Sequence, residues 1–255
     1  MCSSDLPDDM AHVTAESRRD ELALLREINE HHAAERPDDL RLRARMDSYE
    51  LAARLQTAAP ELLDVGGETE ATRRLYGLEE PATRDFGRNC LLARRMIERG
   101  VRFVQVWSGP GGAKDNWDNH GNIEKELGFV ARATDRPTAG LYLDLKARGL
   151  LEDTLLIWTT EFGRMPFSQG SVGRDHNGGT FVSWMAGAGI RPGVAHGASD
   201  PWSWKAVEGA VSGYDFHATI LHLLGIDHQK LTYYHNGLRR RLTDVHGEVV
   251  FPILA

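Results

Sequence analysis

Two histidines and a set of carboxylates stand in glycine-rich stretches that directly follow apolar runs. After "VRFVQVWS" the segment "GPGGAKDNWDNHGN" holds Asp115, Asp118 and His120; after "TLLIWTT" comes Glu161; before "TFVSWMAG" come Asp175 and His176. Neutral imidazole nitrogen and carboxylate oxygen are the donors a divalent cation such as Zn²⁺ accepts, and Ca²⁺ or Mg²⁺ takes the oxygens. Asp118, His120, Glu161 and His176 are therefore candidate metal ligands. Arg164 and Arg174 flank them, and the guanidinium fork suits a tetrahedral anion. Each group also has a plain reading. An Asp-x-His pair arises often by chance, and either arginine can bridge a carboxylate or lay its stem on Phe162 or Phe167. No nucleophile stands out: Ser168 and Ser171 lie on the loop, and Thr159 and Thr160 end an apolar run.

Residues so far apart in sequence meet only if regular elements bring their loops together. The β-branched run "VRFVQVWS" and the apolar runs "TLLIWTT" and "TFVSWMAGAGI" read as strands. "IEKELGFVARATDRPTAGLYLDLKARG" reads as a helix kinked or restarted at Pro137, and "YDFHATILHLLGI" as another. Strand, helix, strand, loop, strand, helix predicts an α/β layer fold, a mainly parallel sheet flanked by helices, with ligands gathered at the carboxyl ends of the strands. Upstream, the pattern is charged and helical. "DELALLREINEHHAAERP" spaces Leu22, Leu24, Leu25 and Ile28 on one face. "EPATRDFGRNCLLARRMIERG" turns Leu91, Leu92, Met96 and Ile97 inward and ends at Gly100. The expected organisation is a helical segment over residues 7–100 packing on an α/β domain over residues 101–255.

Composition narrows the class. The chain has 255 residues, 41% of them hydrophobic, with 30 Lys plus Arg against 37 Asp plus Glu and a net charge of -7. That balance argues against a nucleic-acid or anionic-membrane partner. Cys2 and Cys90 make no disulfide framework. No apolar run approaches the ~20 residues of a membrane helix. The N-terminus shows neither the basic nor the apolar region of an export signal. "MCSSDL" reads as the translation of a sequencing-adapter end, so residues 1–6 are expected to be an artefact and the natural gene to extend upstream.

The blocks "FVQVWSG", "WDNHGNI", "LLEDTLLIWTTEFGRMP", "GRDHNGGTFVSWMAGAGI", "HGASD" and "DFHATILHLLGIDHQKLTYYHNGLRRRLTDVHGEVV" resemble, in order, those of the domain of unknown function 1501 family, a sulfatase-like branch of the alkaline phosphatase superfamily. The resemblance covers residues 40–255, and "TEFGR" and "GRDH" are its most specific parts. It implies an alkaline-phosphatase-like fold of which this chain is the C-terminal portion. The secretion signal, first strands and nucleophile would lie in the missing N-terminal part, and the location would be periplasmic or extracellular. The superfamily's two-metal site maps onto Asp118 (with Asn116 as the alternative partner), His120, Glu161 and His176. Phe162 stands where the superfamily carries a histidine, so the usual ligand set of the second cation is incomplete here.

Two cations close together can clamp the attacking and leaving oxygens of an in-line displacement. The implied function is therefore metal-dependent hydrolysis of sulfate or phosphate esters, on a small molecule or a glycan, with Arg164 and Arg174 on the anion. The alternative is a non-catalytic cation- or anion-binding module; a third reading has the same residues forming only loop hydrogen bonds. The chain alone, lacking a nucleophile, is expected to bind a cation weakly without turning over an ester. Asp215 reads as a helix N-cap, and "GLRRRLTD" as a solvated segment.

Overall fold

The structure is a computed structural model, and it describes residues 14–108 and 117–255. The expectations placed on residues 1–6, Asp115 and Asn116 lie outside the described residues. The chain divides into two compact units, residues 1–64 and 65–255.

The first unit carries helices α1 (Ala15–Ala34) and α2 (Leu40–Leu63). Thr14 caps α1 by accepting a hydrogen bond from the Ser17 amide at 3.0 Å, and Arg26 bridges to Glu50 of α2 at 3.0 Å. Leu22, Leu24, Leu25 and Ile28, read as one apolar face, are all exposed.

In the second unit α3 (Glu70–Leu75), α4 (Arg84–Glu98) and α5 (Ile123–Ala147) build the core. Tyr76, Leu78, Cys90, Leu91, Leu141 and Leu145 form one buried cluster, with Leu156 packed against it. Leu91 and Leu92 of the predicted inward face are buried, while Met96 and Ile97 are half-buried. Pro137 lies within α5 without ending it. Burial pushes the Cys90 thiol up to about 12, so it is an inert packing group.

The sheet is not the one the sequence pattern predicts. Eight short strands form four two-stranded antiparallel ribbons among the described residues. β1 (Leu156–Trp158) pairs with β4 (Trp184–Ala186), β2 (Gly163–Arg164) with β3 (His176–Asn177), β5 (Ala198–Ser199) with β6 (Ala206–Glu208), and β7 (Thr232–His235) with β8 (Leu238–Arg241). This overturns the mainly parallel, alkaline-phosphatase-like architecture. The physical reason lies in the connections. A parallel pair needs a crossover element, usually a helix. Between β1 and β4 the chain instead makes the β2–β3 hairpin and returns, which leaves Leu156 opposite Ala186 and Trp158 opposite Trp184. "VRFVQVWS" forms no strand, and its Phe103 and Trp107 are exposed. Strand propensity needs a ladder partner to be realised.

The remaining helix, α6 (Gly213–Leu223), begins with a capping box. Ser212 is its N-cap, and Asp215, expected as the cap, is the third-position partner whose carboxylate accepts a hydrogen bond from the Ser212 amide at 2.8 Å.

Candidate metal centre

The β2–β3 hairpin and the segment before α5 hold one another in place. Arg164 and His176 are directly opposed in the antiparallel pair, so their side chains share a face. Beyond them the Met165 amide bonds the Asp175 carbonyl at 2.9 Å. The hairpin loop docks on residues 119–123 through backbone bonds. The Arg174 amide donates to the Asn119 carbonyl at 3.1 Å, and the Ile123 amide to the Val172 carbonyl at 3.3 Å. Gly173 makes this approach possible: a Cβ there would lie 1.7 Å from the His120 carbonyl oxygen. On the other side of His176, buried Asn177 donates to the Trp204 carbonyl at 3.1 Å and accepts from the Gly179 amide at 2.8 Å.

This framework brings Asp118, His120 and His176 together as one potential ligand set. Asp118 Oδ1 is 2.9 Å from His120 Nε2 and 2.9 Å from His176 Nε2, and the two Nε2 atoms are 3.0 Å apart. A triangle of those sides has its centre about 1.7 Å from each corner, so an ion about 1 Å above the plane has all three donors near the ~2.0 Å bonds of Zn²⁺. The donors are 38–53% exposed, so the open side of the set faces solvent.

The supporting contacts orient the donors. Gln169 Oε1 lies 2.8 Å from His120 Nδ1. With that oxygen as acceptor, Nδ1 carries the proton and Nε2 presents its lone pair, the tautomer a metal ligand requires. Phe162 stacks on His176 with ring centroids 4.1 Å apart, so it packs one of the candidate donors. Arg164 Nη2 donates to Asp118 Oδ1 at 2.8 Å and to the Trp117 carbonyl at 3.0 Å. Its guanidinium also lies 5.8 Å from the Phe162 ring centroid. Hydrogen bonds from His176 and then Arg164 hold the Asp118 carboxyl down at about 2, keeping it ionised.

Two of the predicted site residues stand apart. Glu161 is not in the ligand set; it is exposed and accepts a hydrogen bond from the Thr160 hydroxyl at 2.9 Å. Arg174 turns back on its own loop, donating to the Gly173 carbonyl at 2.9 Å and the Ser168 hydroxyl at 3.2 Å. Thr159 pairs with Ser183 at 2.7 Å. Sequence reasoning missed Gln169 and the packing role of Phe162. Gln169 lies 49 positions from His120, and no local spacing marks it.

No helix among the described residues is long and apolar enough to cross a membrane. Comparison with curated proteins and with solved structures finds no match to either. The family model described as "Protein of unknown function (DUF1501)" matches residues 6–254, nearly the whole chain, and the chain belongs to that family.

Proposed function

We propose that Asp118, His120 and His176 bind one divalent cation, and that this centre serves metal-dependent hydrolysis of sulfate or phosphate esters. The observation that carries the reading is the meeting of three donor atoms, each 2.9–3.0 Å from the others, from two separate loops. Two imidazoles and one carboxylate favour a first-row cation such as Zn²⁺ over Ca²⁺ or Mg²⁺, which prefer oxygen. When bound, such a cation supplies Lewis acidity toward an ester oxygen. The chain's own residues then have distinct tasks. Gln169 fixes the His120 tautomer, Phe162 holds the His176 ring, and Arg164 keeps Asp118 ionised and aimed.

A second reading, a non-catalytic cation-binding module, is favoured by the arginines. Arg164 is engaged by Asp118 and Arg174 by loop carbonyls, so neither is presented as a clamp on an anion. Calorimetric titration with ZnCl₂ of the chain and of His176→Ala, followed by assay with 4-nitrophenyl sulfate and 4-nitrophenyl phosphate, separates the cases. Saturable one-to-one binding and turnover, both lost in His176→Ala, support the hydrolase and overturn the expectation that this chain lacks a nucleophile. Binding without turnover supports the module. Equal heats for the two proteins defeat both.

A further inference from the structure

We propose that the groove between α5 and the β1–β4 ribbon binds a pyranose ring of a glycan whose sulfate or phosphate ester meets the Asp118–His120–His176 centre, an assignment that rests on the ester-hydrolase reading above. The groove has a volume of about 1100 Å³ and is lined by Trp117, Tyr142, Trp158 and Trp184. Trp158 and Trp184 are directly opposed across the antiparallel ribbon, so both indoles project from one face and floor the groove. They remain 36% and 37% exposed, available to a ligand in a way that core aromatics are not.

Trp117 joins this floor to the metal centre. It lines the groove, the next residue is Asp118, and its carbonyl is held by the arginine that orients the Asp118 carboxylate. The groove therefore reaches the chain segment that carries Asp118 and His120. The rim is polar: Asp135, Glu152 and Lys146 also line the groove, with the Lys146 ammonium 6.0 Å from the Tyr142 ring centroid. Asp135 and Glu152 make no ion pair among the described residues. Concave sites of this kind orient a ligand by apolar walls and a few polar groups. A pyranose matches both halves, because its C–H face stacks on indole while its hydroxyls donate to carboxylates. An aryl ester would use the indoles and leave the rim carboxylates unused.

The test is made on the full chain in EDTA, using an array of neutral, sulfated and phosphorylated glycans, with retained glycans then titrated by tryptophan fluorescence. The expected result is saccharide binding weakened about tenfold in Trp158→Ala and in Trp184→Ala and preserved in Trp158→Phe, which keeps an aromatic ring. Because EDTA removes any cation, saccharide retention is read independently of the zinc titration, so failure of the metal reading and failure of this one are separable. No glycan retained, binding indifferent to both Ala variants, or 4-nitrophenyl esters displacing every glycan would overturn the assignment.

Discussion

Arg164 and His176 face each other across the β2–β3 pair and both bond the same oxygen of Asp118, at 2.8 Å and 2.9 Å. One carboxylate oxygen from a separate loop thus fastens both strands of the hairpin, and its charge state depends on both partners.

The first prediction concerns that charge. The Asp118 carboxyl is depressed from 3.8 to about 2, first by the His176 hydrogen bond and then by Arg164. Because the folded value is the lower one, the associated stability is present above 3.8 and is lost as pH falls toward about 2. The side chain is 53% exposed, so this is a small contribution to stability. Carbon-detected NMR titration should place Asp118 near 2, moving upward in His176→Ala and in Arg164→Met. An Asp118 that titrates at 3.8 or above in the parent chain contradicts the geometry.

The donors themselves were legible in sequence because imidazole and carboxylate chemistry is local: Asp118, His120 and His176 sit in glycine-rich segments beside apolar runs. Direction and pairing were not. The run that became β1 has the same apolar pattern whether its partner is parallel or antiparallel, and only the absence of a crossover helix before β4 decides the matter. Glu161 looked like a ligand because it follows a strand. β1 ends at Trp158, however, and the chain turns before Glu161, leaving its carboxylate at the surface. Arg164 does bridge a carboxylate, Asp118, whereas Arg174 bonds loop carbonyls and the Ser168 hydroxyl, partners that no sequence pattern marked.

Gln169 gives the second prediction. Its side-chain oxygen lies 2.8 Å from His120 Nδ1 and fixes that ring. Contacts of this type typically change metal affinity by about 10–100-fold when removed. Gln169→Ala should weaken Zn²⁺ binding within that range while leaving the thermal midpoint of the cation-free chain nearly unchanged. Unaltered affinity would show that His120 is oriented by something else.

A third prediction separates two glycines of the same loop. At Gly173 an added Cβ would meet the His120 carbonyl oxygen at 1.7 Å, a contact of backbone with backbone that no rotamer relieves. Gly173→Ala should force the hairpin away from residues 119–123, separate His176 from His120, and abolish cation binding. Gly170 has φ +62° and open space around its Cβ position, so Gly170→Ala costs only the left-handed conformation, about 1–2 kcal/mol, and should retain binding. Parallel zinc titrations of the two variants test the contrast. Similar behaviour of both would mean that loop docking does not position the ligands.

The last prediction lies in the core of the second unit. Arg94 is 3% exposed and stands within ion-pair distance of Glu68 (2.8 Å), Glu98 (2.6 Å) and Asp144 (3.0 Å). Asp144 also accepts from the Tyr76 hydroxyl at 2.9 Å and pairs with Arg148 at 2.7 Å, which ties α4 to α5 and to the chain leaving α3. Burial alone would raise the Glu68 carboxyl, but hydrogen bonds from Arg95 and Arg94 outweigh it and hold the group below its ordinary 4.5. Removing the central cation leaves carboxylates in a poorly hydrated place, a loss that typically costs about 3–5 kcal/mol. Arg94→Met should therefore lower urea stability by that order. Asp144→Asn in the same chain should recover part of it, because one uncompensated charge is gone. The depressed Glu68 group makes its stabilisation present above 4.5 and lost as pH falls through the lower folded value, so the parent's advantage over Arg94→Met should shrink in acid. Urea titrations of the three proteins at neutral pH and below pH 4 measure both effects. A difference under about 1 kcal/mol between parent and Arg94→Met would show that water reaches these carboxylates and that the helices are held by apolar packing alone.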